Sequence, residues 1–356
     1  MIVLADATLP GLAELFAQSF NLRTYRSEEE LKAFLHDSDV LICRSTLNVN
    51  QDLLKNSSVR YVATASSGID HLDTNYLATQ GIQWFDAKGS NAHAVADYVV
   101  ASIAYLQQAH LLQDSRAGII GFGEVGSRVY SRLLALGFEV LCVDPFKVSQ
   151  NKGFTFHELH ALESCSLLTI HANLHHASPY PSYNLIDEAF LHSLANNTVM
   201  INASRGGIVN EQALLNSQKS LIYCTDVFLN EPDINPQIIN YATLCTPHIA
   251  GHSLEAKQNA VIYLSQQLHE TLGLDFTFVP SDSKQPLPCT PNSTWGDCVL
   301  NLYNPMNETI ALKQAVNKKE AFISLRKAHH FRHDFNQYDK PHLNPTLKKI
   351  LGSPNT

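Results

Sequence analysis

Three polar residues in the second half of the chain stand where apolar runs end. TVMINAS is followed by Arg205 and two glycines, LIYCTDV by an LNEP turn carrying Glu231, and TLCTP by His248. A histidine, with an ordinary pKa of about 6.5, is suited to take a proton from a hydroxyl. A carboxylate bonded to its second ring nitrogen would fix the tautomer and stabilise the imidazolium that forms. An arginine can fork onto a carboxylate and polarise an adjacent carbonyl oxygen. The trio therefore suits oxidation of a small 2-hydroxy acid, in which a proton leaves oxygen while hydride leaves carbon. Singly, each has a plainer reading: a structural histidine, a loop cation, a carboxylate in a turn. Their shared position after apolar runs favours a joint role, because ligands of open α/β sheets bind beyond the carboxyl ends of the strands.

A hydride needs an acceptor, and a second motif supplies one. Gly121-Phe-Gly-Glu-Val-Gly126 follows the apolar run AGII and precedes a helical pattern. Gly121 permits the tight turn, Gly123 lets the backbone approach a pyrophosphate, and Gly126 allows close packing of helix on strand. The helix N-terminus then offers unpaired N–H groups to the anion. The run FEVLCV ends in Asp144, 18 residues beyond Gly126. A carboxylate there accepts from ribose hydroxyls and repels a 2′-phosphate, which predicts NAD rather than NADP.

The elements that must position these residues alternate. MIVLA, GLAELFAQSF, DVLIC, VRYVATAS and GIQWF form one β/α series. A long helical pattern over 91–112 follows, and a second series runs from AGIIG to LIYCTDV. Alternation of this kind predicts parallel sheets. The expected fold is α/β: two doubly wound, Rossmann-like domains with a cleft between them, plus a small α+β extension. Residues 1–90 and 255–273 form the expected substrate domain, 91–254 the NAD-binding domain and 274–356 the extension. VPSDSKQPLPCTPNSTWG (279–296) is rich in Pro and Ser and predicts a linker, and at least one helix is expected near 308–325.

Composition narrows the function further. The chain has 356 residues, 45% of them hydrophobic, and a net charge of −8. That charge argues against a general nucleic-acid binder. The longest apolar run, 94–106, is interrupted by Asp97 and is too short for a membrane span. The opening MIVLAD has no basic region, so a first strand is expected rather than a secretion signal. Seven cysteines, odd in number and without a Cys-x-x-Cys pair, suit reduced thiols in a cytoplasmic protein. His171, His175 and His176 cluster without a Cys or carboxylate at ligand spacing, so no metal is expected. Arg44 beside Ser45 would suit a substrate phosphate or serve as a loop cation, and His71 is expected to be structural.

Six segments together resemble the D-isomer-specific 2-hydroxyacid dehydrogenase family: TASSGIDHLD (64–73), GSNAHAVADY (89–98), the glycine turn, INASRGGIVNEQAL (201–214), TDVFLNEP (225–232) and TPHIAGHSLEAK (246–257). The resemblance implies that Arg205, Glu231 and His248 are catalytic, with His248 as acid/base. It implies that Asp226 touches the nicotinamide carboxamide and that the N–H groups of Ser66, Ser67 and Gly68 cradle the substrate carboxylate. It extends the NAD contacts to Glu124, Val125, Ala172, Ala203, Ser204 and Gly251. Within the family, CRSTLNVNQDLL (43–54) and the long C-terminal extension are most similar to a branch acting on a small phosphorylated 2-hydroxy acid. Ser45, Arg44 and His252 then join the substrate contacts, and residues 274–356 would serve homodimerisation. Two rival readings are a relative acting on phosphoglycerate, glycerate or lactate, and a non-catalytic NAD-binding regulator.

Overall fold

The computed structural model describes residues 1–148, 154–278, 284–289, 293–329, 332–340 and 342–353. In chain order the elements begin β1 (Ile2–Asp6), α1 (Leu12–Phe16), β2 (Asn21–Tyr25), α2 (Glu28–Leu35), β3 (Val40–Cys43), α3 (Gln51–Leu54), β4 (Tyr61–Thr64), α4 (Thr74–Thr79) and β5 (Gln83–Asp86). They continue with α5 (Ala92–Gln108), β6 (Arg116–Ile120), α6 (Glu124–Ala135), β7 (Glu139–Val143), β8 (Leu167–Ile170), α7 (Glu188–Ser193), β9 (Val199–Asn202), α8 (Glu211–Asn216) and β10 (Ile222–Thr225). The remainder is α9 (Pro236–Tyr241), β11 (Leu244–Cys245), α10 (Leu254–Thr271), α11 (Trp295–Leu302), α12 (Met306–Gln314), α13 (Lys318–Ala328) and α14 (Pro345–Ile350). Two compact units result: Met1–Asn91 with Ser253–Ser283, and Ala92–His252 with Lys284–Thr356.

The first unit holds a five-stranded parallel sheet, ordered β2-β1-β3-β4-β5. β3 is VLIC, buried at every residue, as a central strand covered on both faces must be. β2 has no such signature: NLRTY is exposed or half-buried except at Tyr25, because it is the sheet edge. The sequence pattern overlooks it for that reason. Ser27 caps α2, which follows, by accepting from Glu30 N–H. α10 lays Ala260, Val261, Leu264 and Leu268 on the core under β1 and β3.

The second unit holds a six-stranded parallel sheet, ordered β11-β10-β9-β8-β6-β7. Strand order reverses at β6, which lies between β7 and β8. That switch point is where a doubly wound sheet opens a ligand crevice. α5 is buried around most of its circumference, consistent with a helix packed on several sides. It ends at Gln108, earlier than the apolar pattern suggests, and His110 beyond it has φ of 57°.

Beyond residue 283 the regular elements among the described residues are helices, with one isolated bridge between Gln285 and Tyr338 as the strand component. The helical stretch expected near 308–325 comprises two helices, α12 and α13, separated at Ala315–Asn317. Asn317 then caps α13 by accepting from Glu320 N–H. Residues 279–283 and 290–292 of the expected linker lie outside the described residues. Six of the seven cysteines are buried and all are free thiols. Among the described residues no helix is long and apolar enough to cross a membrane.

Candidate active site

Arg205, Glu231 and His248 follow the carboxyl ends of β9, β10 and β11, three neighbours in one parallel sheet. Glu231 and His248 meet directly: Nδ1 of His248 lies 2.6 Å from Oε2 of Glu231. The other carboxylate oxygen accepts from the N–H of Phe228 at 2.9 Å, so both oxygens are held. Burial pushes the Glu231 carboxyl up, but the His248 charge and hydrogen bond, the Phe228 N–H and the Arg326 charge outweigh it. The net position is below the ordinary glutamate range. His248 has φ of 57°, a left-handed conformation that a non-glycine residue keeps only when its surroundings impose it.

Those surroundings centre on Asp226, which is fully buried. One of its oxygens accepts from Ile249 N–H and lies 2.7 Å from Thr246 Oγ1, while the other accepts from Ala250 N–H. Thr246 Oγ1 in turn lies 2.9 Å from Tyr98 OH on α5. Asp226 thus fixes residues 246–250 on either side of His248. This shape-holding role is visible beside the cofactor contact that the family resemblance implies for it.

Arg205 sits on a loop of equal constraint. Asn202 donates to its carbonyl at 3.0 Å and accepts from Ser204 N–H and Oγ. Nη1 of Arg205 donates to Ser204 O at 2.9 Å. Gly206 is obligatory by steric fit, because a Cβ there would lie 2.0 Å from Phe228 O. The Arg205 loop and the Glu231 loop are therefore in contact through Phe228.

The glycine turn at the end of β6 passes a fit test for a dinucleotide. A Cβ at Gly121 would meet Ala172 N at 2.6 Å, and one at Gly126 would meet Gly121 O at 2.0 Å. Gly123, by contrast, faces open space and caps α6 without a side-chain bond, so its side of the turn is free for a pyrophosphate. Glu124 and Val125 form the first helical turn, and Glu124 pairs with Arg128 at 2.8 Å. Asp144 follows β7 and accepts from Phe122 N–H at 2.8 Å and from Phe146 N–H at 3.2 Å, which locks it beside the turn. Ala172 follows β8, Ala203 and Ser204 follow β9, and Gly251 and His252 follow His248 in the same unit. His252 accepts from Arg332 at its carbonyl.

Ser45, Arg44, Ser66, Ser67 and Gly68 belong to the other unit, at the carboxyl ends of the adjacent strands β3 and β4. Ser67 Oγ donates to Asn91 at 2.8 Å, and Gly68 N–H points to Ser66 Oγ at 3.4 Å. Arg44 pairs with Asp6 at 2.7 Å and is 44% exposed. It lines a cavity of about 550 Å³ with Arg26, Lys32, Thr46 and Asn48. Among the described residues no group of three or more His, Cys, Asp or Glu is placed to hold a metal ion.

Several residues near these positions escape sequence reasoning. Burial, and then the nearby Arg44 charge, lower the ammonium pKa of Lys257 on α10. Phe122 stacks in a ring cluster with Phe154 at 4.6 Å, Tyr130 and Phe156 beside the glycine turn. Arg326 on α13 approaches Glu231 from the C-terminal region. A Lys in LEAK and aromatic residues flanking a loop were readable as types, but only the fold brings them to these places.

The chain is similar to known proteins in both sequence and fold. Residues 92–250 match the family described as D-isomer specific 2-hydroxyacid dehydrogenase, NAD binding domain. The chain is 51% identical over 338 residues to the erythronate-4-phosphate dehydrogenase of Legionella pneumophila subsp. pneumophila strain Philadelphia 1, covering 95% of this chain and 96% of that one. It is 33% identical over 357 residues to the enzyme of that name from Coxiella burnetii strain RSA 331, covering 98% and 96%. Its fold is similar to the NAD complex of a formate dehydrogenase from Staphylococcus aureus, with a TM-score of 0.63, 22% identity and coverage of 79% and 100%. It is also similar to the NAD-bound 3-phosphoglycerate dehydrogenase of Entamoeba histolytica, with a TM-score of 0.65, 21% identity and coverage of 79% and 99%.

Proposed function

The chain belongs to the D-isomer-specific 2-hydroxyacid dehydrogenase family, and on that premise we propose that it oxidises 4-phospho-D-erythronate to 2-oxo-3-hydroxy-4-phosphobutanoate, a step of vitamin B6 synthesis. The observation that carries the chemical half of this reading is the 2.6 Å contact between His248 Nδ1 and Glu231. It commits Nδ1 to the carboxylate and leaves Nε2 for the substrate hydroxyl. His248 takes the hydroxyl proton, and Glu231 stabilises the imidazolium that results. Arg205 holds the carboxylate and polarises the C2 oxygen as it becomes a carbonyl. The glycine turn would hold NAD, which when bound would supply the hydride acceptor.

The identity of the substrate rests on the named relatives and on cations. The N–H groups of Ser66, Ser67 and Gly68, with Ser45, are assigned to the carboxylate end. Arg44 and Lys257 are assigned to the phosphate, and His252 to a neighbouring substrate oxygen. Asp144 and Asp226 are assigned to the ribose and the nicotinamide carboxamide, with backbone groups of Ala172, Ala203, Ser204 and Gly251 completing the cofactor contacts. The purified chain should reduce NAD with 4-phospho-D-erythronate about a hundredfold more efficiently than with 3-phosphoglycerate, D-glycerate or D-lactate, followed by NADH absorbance. A higher kcat/KM on any of those three would overturn the substrate.

We further infer a cytoplasmic homodimer joined through residues 274–356. Ile310, Val316 and Ile323 support it, since all three are large apolar side chains left exposed on or between α12 and α13. Light scattering that gives a monomer at micromolar concentration would refute it.

A further inference from the structure

Helix α13 sits against the loop that carries Glu231, and it does so along one face. Lys319, Phe322 and Arg326 are spaced three and four residues apart and share that face. Lys319 Nζ pairs with Asp233 at 3.0 Å. The Phe322 ring is buried edge-on to the Phe228 ring, with centroids 6.1 Å apart. Nη1 of Arg326 stands 4.0 Å from Glu231 Oε2, the oxygen that His248 contacts. Phe228 is the hub of this contact. Its N–H holds Glu231, its carbonyl packs on Gly206 beside Arg205, and its ring receives Phe322.

The C-terminal region also grips the segment that follows His248. Arg332 donates to Ala250 O at 2.6 Å and to His252 O at 3.1 Å, with its guanidinium 4.4 Å from the Tyr303 ring centroid. Thr309 on α12 accepts from Cys245 N–H at 3.0 Å, on the edge strand β11. Segments on both sides of the histidine and the glutamate loop are thus braced by Thr309, Lys319, Phe322, Arg326 and Arg332.

We propose that α13 is a positioning element of the reaction itself, with Phe322 setting the Phe228–Glu231 loop and Arg326 tuning the Glu231–His248 pair by its charge. The proposal rests on the reading of that pair as the proton acceptor. Among the described residues, the pair interacts with the charges of Arg326 from α13, Asp226 after β10, and Glu211 on α8, whose carboxyl is pushed up by burial and then by Glu231. Arg326 is the cation among them. It favours carboxylate on Glu231 and opposes a second positive charge on His248. Its removal makes the imidazolium easier to form, so the neutral base becomes available only at higher pH.

The experiment compares R326Q, R326K, F322A, F322L and H248N in the full-length chain, each checked by thermal melting and assayed for kcat, KM and pH profile with NAD and 4-phospho-D-erythronate. Expected for R326Q is an upward move of the acid limb of kcat/KM by about half a unit, which R326K reverses. Expected for F322A is a fall in kcat of about tenfold with the KM for NAD little changed, and F322L recovers most of it. A structural brace alone would move melting temperature without moving the acid limb. An R326Q limb that coincides with the parent, with H248N inactive, overturns the role of Arg326 and leaves the proton acceptor standing. Folded F322A with parental kcat overturns the role of the helix. An active H248N overturns the proton-acceptor reading and this inference with it.

Discussion

His248 and Arg44 belong to different units and are held in opposite ways. Around His248 the contacts are short and mostly shielded from water: Glu231 is fixed at both oxygens, and buried Asp226 ties down residues 246–250. Among the described residues Arg44 has one ion pair, to Asp6, and it is close to half exposed. Proton transfer depends on geometry to within a few tenths of an ångström, and buried hydrogen bonds enforce it. Recognition of a doubly charged phosphate needs charge at roughly the right distance, and a solvated arginine supplies that at little cost in desolvation. Under the proposed function, the difference separates what the reaction requires from what selects the substrate.

That contrast breaks most visibly at His248. H248N should lower kcat about a thousandfold or more while NAD still binds, measured by turnover and by cofactor fluorescence titration. Retained turnover would remove the proton acceptor. E231Q comes next, with a loss of about a hundredfold, because an amide cannot stabilise the imidazolium. Its KM should change little, and a rise in KM alone would assign Glu231 to substrate binding instead.

R44Q tests the other region and should give the reverse split. KM for the phosphorylated substrate should rise about tenfold with kcat nearly unchanged, and the penalty should shrink as salt is added, since the site is open to screening. Equal effects on phosphorylated and unphosphorylated substrates would show that Arg44 does not read the phosphate.

How far the sequence discloses the two regions follows the same division. The glycine turn, Asp144, Arg205, Glu231 and His248 are legible because each marks the end of an apolar run, and parallel strands convert that order into one sheet edge. β2 is not legible, since an exposed edge strand such as NLRTY carries no apolar period. Lys257 is not legible as a neighbouring charge of Arg44, for the two are more than 200 positions apart and come within electrostatic reach only through the fold of the first unit. Arg326 and Phe322 look like a solvated charge and a core residue in the helical pattern of the tail. Their relation to Glu231 depends on where α13 docks, which no local spacing encodes.

The smallest effect concerns what burial does to the second unit in acid. His171 follows β8, its Nε2 bonds Thr169 Oγ1, and its buried Nδ1 has no partner. Burial pushes its pKa down from 6.5 to about 3, so the folded protein resists a proton that the unfolded chain accepts. The sign follows from linkage. The contribution is fully present above about pH 6.5 and is lost progressively as pH falls toward 3. H171Q removes this linkage, so its drop in Tm between pH 7 and pH 5 should be smaller than the parent's by about 3 °C, whatever its Tm at neutral pH. Differential scanning calorimetry at matched ionic strength reads that slope directly. Parallel slopes for the two proteins would mean that acid acts elsewhere, and that the dry packing beside the cofactor turn carries no penalty in protons.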